Sequence, residues 1–385
     1  MGQPVPETPV RVPLLETVDA IDPAWMDRVL AHAGVAAPKV LAVAHTLVGQ
    51  GTTSAVTRLS LTYAPGAGDG PATLVAKFPS PSALGEAASP EVVGYAREVE
   101  AYRYFGAACG FRVPACLFAE VREDGWFNLI LADLGTDCRP GDQIAGCTSA
   151  EAFAVARELA GLHAAYWQAP GLASLDWVRR RAPGAGRSAA YYAHGAKVMR
   201  QRFADVLSLA ELDLIDAAVP LVAPWAQAAA PVESLLHGDP RVDNIMFADG
   251  PGGPVAWLID LQQMMVGDPA FDLAYFMGSS LAPADRAACE REVIAAYAAR
   301  IRAAGHDLTD AAAWAAYQQQ ALAALTATVQ AAGGFPDDPK LNALITTMAR
   351  RACAAVVDLD GLAVARGAFG PEGRLGLPKA GLPSR

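Results

Sequence analysis

The sequence predicts an α+β fold of two lobes, a small β-sheet lobe followed by a larger, mainly helical lobe. Chain length supports two lobes, because 385 residues exceed one ordinary hydrophobic core. From about residue 149 onward most segments carry apolar residues at helical spacing, and the clearest helices span 149–168, 284–303, 309–332 and 338–364. The first third instead contains five runs of β type, which fit one five-stranded antiparallel sheet: 40–48, 54–63, 72–79, 115–121 and 127–132.

Composition narrows the class of protein. With 53% hydrophobic and 18% charged residues, the chain is globular rather than disordered. The net charge of −10 argues against a nucleic-acid partner; it favours solubility and would also attract cationic small molecules. The six cysteines show no CxxC pair and no neighbouring His, so we expect buried thiols in a reducing compartment. We expect no membrane span, no leader and a cytoplasmic location.

The N-terminal part predicts an arm, a helix and a turn with small polar residues. Residues 1–21 are rich in proline and predict an extended arm, and Asp22-Pro23 supplies an N-cap and a first-turn proline for a helix ending near Ala33. The turn after the first strand contains small polar residues, namely Gly49, Gly51, Thr52, Thr53 and Ser54. Its backbone amides and hydroxyls can approach phosphate oxygens, although a plain hairpin has the same composition.

Lys77 stands in the otherwise apolar strand at 72–79. A buried lysine is unfavourable unless it is paired, and the alternative is an ammonium that extends to the surface. The segment 96–105 has helical spacing and offers two partners, Glu98 and Glu100. The last strand of the sheet ends at Asp133, where a short connection to the helical lobe is expected.

The residues with the clearest chemistry lie between His237 and Asn244 and at Asp260. Apolar runs flank both segments, as expected of short buried strands that present polar groups at their ends. Asp239, Asn244 and Asp260 supply a base and two oxygen ligands at the spacing used for phosphoryl transfer. Carboxylate and amide oxygens suit Mg²⁺, which is commonly shared with the phosphates of a nucleotide.

In their order and spacing these motifs resemble one known family. His237-Gly238-Asp239-x4-Asn244, then Leu258-Ile259-Asp260, then the string from Gly267 to Phe276 are similar to the catalytic core of aminoglycoside phosphotransferases and choline kinases. The three segments taken together, from His237 to Phe247, from Ile259 to Gln262 and from Gly267 to Phe276, most resemble the ecdysteroid-kinase-like branch and its bacterial relatives. The resemblance covers about residues 40–365 and implies the protein-kinase-like fold. Within that range, residues 141–147 also resemble a string found in the bacterial members of this branch, but the side chains of this segment indicate no chemical role.

The resemblance implies that Asp239 is the general base and that Asn244 and Asp260 bind Mg²⁺. Arg241 follows two positions after the base, where its cation can offset charge on the γ-phosphate in the transition state; an exposed loop arginine is the alternative. His237 is expected to support the loop from below rather than to exchange protons.

The implied nucleotide is ATP, with GTP also possible. Lys77 is expected to bind the α- and β-phosphates, held by Glu98, because the family pattern places this Glu four residues before a Tyr. Glu100 points to a different face and is expected to be solvated. The turn at 49–54 would lie over the phosphates, and the backbone that begins at Asp133 would contact the base.

Several other polar residues are expected to play supporting roles. By resemblance, Asp272 accepts hydrogen bonds from the backbone of the catalytic loop, while Asp243 is structural or exposed. His163 lies on an apolar helix face and reads as a hydrogen-bonded core histidine rather than a catalyst. The arginines at 179–181 predict a solvated helix end, or alternatively a contact with an anionic acceptor.

These observations predict five parts along the chain: an arm and helix at 1–39, a nucleotide-binding lobe at 40–132, a hinge at 133–136, a helical lobe at 137–366 and a Gly/Pro-rich tail at 367–385. The predicted function is a Mg²⁺-dependent kinase whose partners are a nucleoside triphosphate and a small molecule with a hydroxyl group. Aminoglycosides, sterol-like alcohols, choline-type amines and sugars all remain open as acceptors. The alternative is a catalytically silent nucleotide-binding scaffold or sensor of the same fold.

Overall fold

The computed structural model of the protein describes residues 11–50, 54–66, 69–79, 90–105, 109–180 and 184–369. Contacts divide the chain into two compact units. Unit 1 comprises residues 1–109, 113–137 and 259–263, and unit 2 comprises residues 110–112, 138–258 and 264–385. The segment 259–263, which contains Asp260, therefore groups with unit 1 although it follows strands of unit 2 in the chain.

Unit 1 is built on one antiparallel sheet with the strand order β1-β2-β3-β5-β4, which confirms the predicted five-stranded sheet. Helix α1 begins as the sequence predicts, because Asp22 accepts a hydrogen bond from the Trp25 N–H at 2.7 Å. Trp25 and Met26 are buried in the core with Leu59 and Leu74, and each fully buried side chain of this kind stabilises the fold by about 1.5–3 kcal/mol. The elements are α1 (Pro23–His32), β1 (Val40–Gln50), β2 (Ser54–Tyr63), β3 (Thr73–Pro79), α2 (Pro90–Phe105), β4 (Cys116–Val121) and β5 (Phe127–Ala132).

The described part of the arm before α1, residues 11–21, packs against the sheet of unit 1. Val12 and Ile21 are buried in the core of unit 1. The Asn128 side chain on β5 accepts a hydrogen bond from the Leu15 N–H at 2.7 Å and donates to the Leu15 carbonyl at 3.0 Å. This paired contact holds the arm because both polar groups of one buried amide are used.

Unit 2 combines helices with two small sheets, in the strand orders β10-β9-β6 and β7-β11-β8. Helix α3 begins with a capping box, in which Thr148 and Glu151 bond each other's backbone N–H groups. Its strands are β6 (Arg139–Pro140), β7 (Arg179–Arg180), β8 (Ser234–Leu236), β9 (Ile245–Gly250), β10 (Gly253–Leu258) and β11 (Met265–Gly267). Its helices are α3 (Ser149–Ala165), α4 (Ala185–Arg202), α5 (Leu209–Gln227), α6 (Ala270–Ser280), α7 (Pro283–Ala303), α8 (Asp310–Gln319), α9 (Leu322–Gly334), α10 (Pro339–Asp358) and α11 (Gly361–Phe369).

Three expectations for unit 2 were wrong in detail. The helix predicted at 309–332 is divided into α8 and α9, and the helix predicted at 338–364 is divided into α10 and α11. At the first division the Gln320 side chain donates to Asp268, and at the second Asp360 takes a left-handed backbone with φ of 51°. Arg179 and Arg180 lie in strand β7, where Arg179 pairs with Met265 of β11, and not at a helix end.

The cysteines follow the prediction only in part. Cys289 and Cys353 are buried, whereas the other four are partly exposed. Within the described ranges, no helix combines the length and the apolar character that crossing a bilayer requires.

Candidate active site

The catalytic loop, residues 237–244, leaves strand β8 in a conformation held by one buried carboxylate. Asp272 on α6 accepts hydrogen bonds from the N–H groups of His237 at 2.7 Å and Gly238 at 3.0 Å. Gly238 has φ of 83°, a backbone conformation that strongly favours glycine. The implied role of Asp272 therefore has a structural basis: it fixes the two residues immediately before Asp239.

Asp239 presents one engaged and one unengaged carboxylate oxygen. Its Oδ2 accepts hydrogen bonds from Arg241 Nε at 3.2 Å and from Asn244 Nδ2 at 3.0 Å. Its Oδ1 is buried and has no hydrogen-bond donor at normal distance among the described residues. Burial raises the pKa of Asp239, but the Arg241 cation, the Tyr275 hydroxyl and His237 together hold it below its ordinary value. The group is therefore ionised at neutral pH.

Arg241 and Asn244 are both hydrogen-bonded to Asp239. The guanidinium of Arg241 also reaches the Asp243 carboxylate at 3.3 Å, so this arginine is not a freely solvated loop residue. Asn244 uses its amide nitrogen for Asp239, bonding the main-chain oxygen at 2.9 Å as well as the carboxylate. Because the nitrogen makes both contacts, the amide oxygen of Asn244 remains for another partner. His237 is fully buried, and its Nδ1 accepts a hydrogen bond from the Asp239 N–H at 3.3 Å.

The His163 side chain contacts the same Asp272 carboxylate that holds the catalytic loop. His163 on α3 lies between Asp272 Oδ2, at 3.2 Å from Nε2, and the Tyr297 hydroxyl, at 2.9 Å from Nδ1. The three side chains are almost completely buried. His163 is thus the hydrogen-bonded core histidine that its apolar helix face predicts. No pattern in the sequence singles out Tyr297, or Tyr275 beside Asp239, because each occupies an ordinary core position of a helix.

In unit 1 the structure pairs Lys77 with Glu98 at 2.6 Å, and both side chains are buried. Burial alone would lower the pKa of Lys77, but the carboxylates of Asp260 and Glu98 raise it above its ordinary value, so the ammonium is charged. Glu100 instead forms a partly exposed pair with Arg103 at 2.8 Å. The choice of Glu98 over Glu100 as the partner of the lysine is therefore confirmed.

Asp260 completes this cluster in unit 1. Its Oδ1 lies 3.6 Å from Lys77 Nζ and accepts no hydrogen bond at normal distance from the described residues. Its backbone is left-handed, with φ of 61°, which is uncommon for a residue other than glycine and is tolerated best by Asp and Asn. Such conformations concentrate at functional sites, where the surrounding structure compensates for the strain.

The remaining residues predicted to contact the nucleotide are those of the turn at 49–54 and Asp133, and the structure describes only some of them. Gly51, Thr52 and Thr53 lie outside the described residues; Gly49 ends up in β1 and Ser54 begins β2. The Asp133 carboxylate is already paired with Arg58 at 2.5 Å and with the Gly135 N–H at 2.8 Å. A contact of Asp133 with a nucleotide would therefore come from its backbone.

The donor atoms suit a hard cation that shares its ligands with phosphates. Across the described ranges, no three His, Cys, Asp or Glu side chains cluster as a self-sufficient metal site. Mg²⁺ in phosphoryl-transfer sites needs only one or two protein ligands, since phosphates and water complete its octahedron. In unit 1, Oδ1 of Asp260, which is buried and has no hydrogen-bond donor at normal distance among the described residues, is an oxygen of this kind. In unit 2, the amide oxygen of Asn244 is another, since the amide nitrogen makes both contacts with Asp239.

Comparison with known proteins decides the family. The sequence profile of the phosphotransferase enzyme family matches residues 57–319, well over half of the chain. The chain belongs to this phosphotransferase enzyme family. It is therefore a small-molecule phosphotransferase that uses a hydroxyl group as acceptor, and the silent-scaffold alternative is set aside. No curated protein sequence matches this phosphotransferase.

Solved structures of similar fold support the fold class. A protein provisionally described as an aminoglycoside phosphotransferase, from Ralstonia eutropha JMP134, is 17% identical with a TM-score of 0.51, covering 89% of this chain and 96% of the other. An ethanolamine kinase from Plasmodium vivax is 13% identical with a TM-score of 0.50, covering 85% and 87%. At these identities the likeness shows the fold alone, which confirms the predicted kinase-like α+β class. Assignment to the ecdysteroid-kinase-like branch stays a prediction.

Proposed function

We propose that this phosphotransferase moves the terminal phosphoryl group of ATP, or of GTP, onto a hydroxyl group of a small molecule. The observation that carries the proposal is the state of Asp239: an ionised carboxylate whose Oδ2 is fixed by Arg241 and Asn244 and whose Oδ1 has no hydrogen-bond donor at normal distance among the described residues. An oriented carboxylate with one unengaged oxygen can accept or orient the proton of an incoming hydroxyl.

Arg241 is proposed to act beside the base. Its guanidinium is held by Asp239 and Asp243, so the cation has a defined place on the catalytic loop. A fixed cation near a phosphoryl group in transfer offsets the negative charge that develops on the oxygens, without reorganisation during the reaction. Arg241 therefore has two effects, on the pKa of the base and on the transition state.

Lys77, held by Glu98, is proposed to bind the nucleotide phosphates, because a charged and buried ammonium with a fixed partner is the arrangement used for that contact. Asn244 and Asp260 are proposed to hold Mg²⁺. When bound, Mg²⁺ would neutralise phosphate charge and orient the terminal phosphoryl group. The turn at 49–54 and the backbone from Asp133 are proposed to complete the nucleotide site.

The acceptor class is open among aminoglycosides, sterol-like alcohols, choline-type amines and sugars. A transfer screen tests the proposal: purified protein with Mg²⁺ and ATP or GTP is incubated with acceptors of each class. Products are identified by mass spectrometry as acceptor plus one phosphoryl group. We expect one class to be phosphorylated with matching release of nucleoside diphosphate. The absence of Mg²⁺-nucleotide binding altogether would refute the proposal.

A further inference from the structure

A short segment of unit 2, residues 139–147, packs against the catalytic loop, and we call it the strap. Its first residues form β6, which pairs antiparallel with β9 so that Pro140 lies opposite Met246. The Gly141 N–H then donates to the Ile245 carbonyl at 2.9 Å. The strap therefore runs beside the strand that leaves the catalytic loop and approaches the loop from its C-terminal end.

Gln143 connects the strap to the catalytic loop with two hydrogen bonds and to helix α6 with a third. Its side-chain oxygen accepts from the Val242 N–H at 2.8 Å, and its side-chain nitrogen donates to the Ser279 carbonyl at 2.7 Å. Its own backbone N–H donates to Asp243 Oδ1 at 2.8 Å. The residue is 1% exposed, so the amide has one orientation in which both of its ends are satisfied.

The strap approaches the loop more closely than any side chain would allow at position 141. A Cβ added to Gly141 would lie 2.1 Å from the Val242 carbonyl oxygen and 2.9 Å from its carbonyl carbon. Glycine is the residue that permits such contact between two backbones. The same residue of the loop, Val242, is thus held from the strap by a hydrogen bond and by direct packing.

Arg351 fixes the strap from helix α10. Its guanidinium donates to the carbonyls of Gln143 at 2.6 Å, Ile144 at 2.9 Å and Ser279 at 3.2 Å. The side chain is mostly buried, and this burial lowers the pKa of Arg351. A buried cation is tolerated when it is hydrogen-bonded, and three carbonyls accept from this guanidinium.

We propose that Gln143 is a positioning residue for phosphoryl transfer, acting through Val242 on the base and the metal ligand of the same loop; this inference rests on the proposed function. Val242 begins the short 3-10 helix that ends at Asn244. Asn244 in turn bonds Asp239 at both its carboxylate and its carbonyl. A displaced Val242 therefore moves Asn244 relative to Asp239. Displacements of about 1 Å in a reacting site can lower turnover about 100-fold.

The test compares Gln143→Leu with the matched control Gln330→Leu. Gln330 on α9 also ties two elements together, donating to the carbonyl and the hydroxyl of Ser188 at 2.8 and 2.7 Å, but it does not touch the catalytic loop. Both variants lose a structural glutamine of the same size. For Gln143→Leu we expect a kcat about 10- to 100-fold lower, with the KM for the nucleotide changed less than about threefold. Gln330→Leu should lower the melting temperature while leaving kcat unchanged.

Hydrogen exchange gives a second readout that needs no substrate. Because Gln143 is the acceptor for the Val242 N–H, Gln143→Leu should accelerate exchange in peptides spanning residues 238–247, and Gln330→Leu should not. Equal kcat in the two variants, or unchanged exchange in that peptide, would overturn the proposal.

Gln143→Glu keeps an acceptor oxygen for Val242 and tests the proposal if Gln143→Leu does not fold. We expect it to retain slow exchange at Val242 and a kcat within about tenfold of the wild-type value; a larger loss of kcat while exchange at Val242 stays slow would overturn the inference. If the wild type phosphorylates no acceptor, the proposed function fails, while the exchange comparison still decides whether the strap holds the loop.

Discussion

The substitution Asp272→Asn keeps the size of the side chain but removes its charge and one of its two acceptor oxygens. In the native protein Oδ1 accepts from the Gly238 N–H at 3.0 Å, and Oδ2 accepts from the His237 N–H at 2.7 Å while facing His163 Nε2 at 3.2 Å. An amide offers an oxygen on one side and a donor on the other. It therefore cannot serve both sides of this buried site.

Both orientations of the introduced amide leave a backbone donor unsatisfied. If its nitrogen takes the position of Oδ1, it faces the Gly238 N–H. If its nitrogen takes the position of Oδ2, His163 can change tautomer and accept from it, since the Tyr297 hydroxyl can in turn accept from Nδ1–H. The His237 N–H is then left without an acceptor. A change of tautomer keeps His163 hydrogen-bonded, but in either orientation of the amide one backbone N–H has no acceptor.

An unsatisfied buried N–H costs about 1–3 kcal/mol, and loss of the charge weakens the remaining hydrogen bonds by about 1 kcal/mol. The expected destabilisation is therefore about 2–4 kcal/mol, or a melting temperature lower by about 5–15 °C for a unit of this size. Thermal unfolding followed by circular dichroism measures it. Asp249→Asn, at an exposed carboxylate on β9, is the matched control and should change stability by less than about 0.5 kcal/mol. A melting temperature for Asp272→Asn equal to that of the control would refute the reasoning.

Two further predictions concern unit 1. Lys77→Met should weaken Mg²⁺-nucleotide binding about 10- to 100-fold in a fluorescence titration, because it removes a charged phosphate donor; unchanged affinity would count against the role of Lys77. Asp133→Asn should lower stability by about 1 kcal/mol at pH 7, because Arg58 holds the pKa of Asp133 below its ordinary value of about 3.9. That contribution is present above the unfolded pKa and is lost as pH falls through the folded pKa, so urea unfolding at pH 3 should show a smaller deficit; an equal deficit would contradict it.

The sequence was informative where a residue type conflicts with its surroundings. A lysine in an apolar strand demands a partner, and the structure supplies Glu98 at 2.6 Å. Asp239 and Asn244 are five positions apart, so their contact depends on local backbone geometry that the motif itself specifies. The five strands and the N-cap Asp22 follow from short-range patterns for the same reason.

Residues that act across long sequence separations could not be predicted in this way. Arg351 is 208 positions from Gln143, and Tyr297 is 134 positions from His163. A single arginine or tyrosine on a helix looks the same whether it faces water or a buried carbonyl. The division between α8 and α9 was missed because neither Gln320 nor its Ala-rich neighbours interrupt the helical pattern.

We infer that Asp239 is the base of a phosphoryl transfer to a hydroxyl group. The measurement that tests it most directly is the transfer rate and the nucleotide affinity of Asp239→Asn beside Asp249→Asn, with the acceptor identified by the screen. We expect Asp239→Asn to bind nucleotide nearly as the wild type does and to lose about 10²–10⁴-fold in kcat, whereas Asp249→Asn keeps full activity. Full transfer activity in Asp239→Asn would contradict the account.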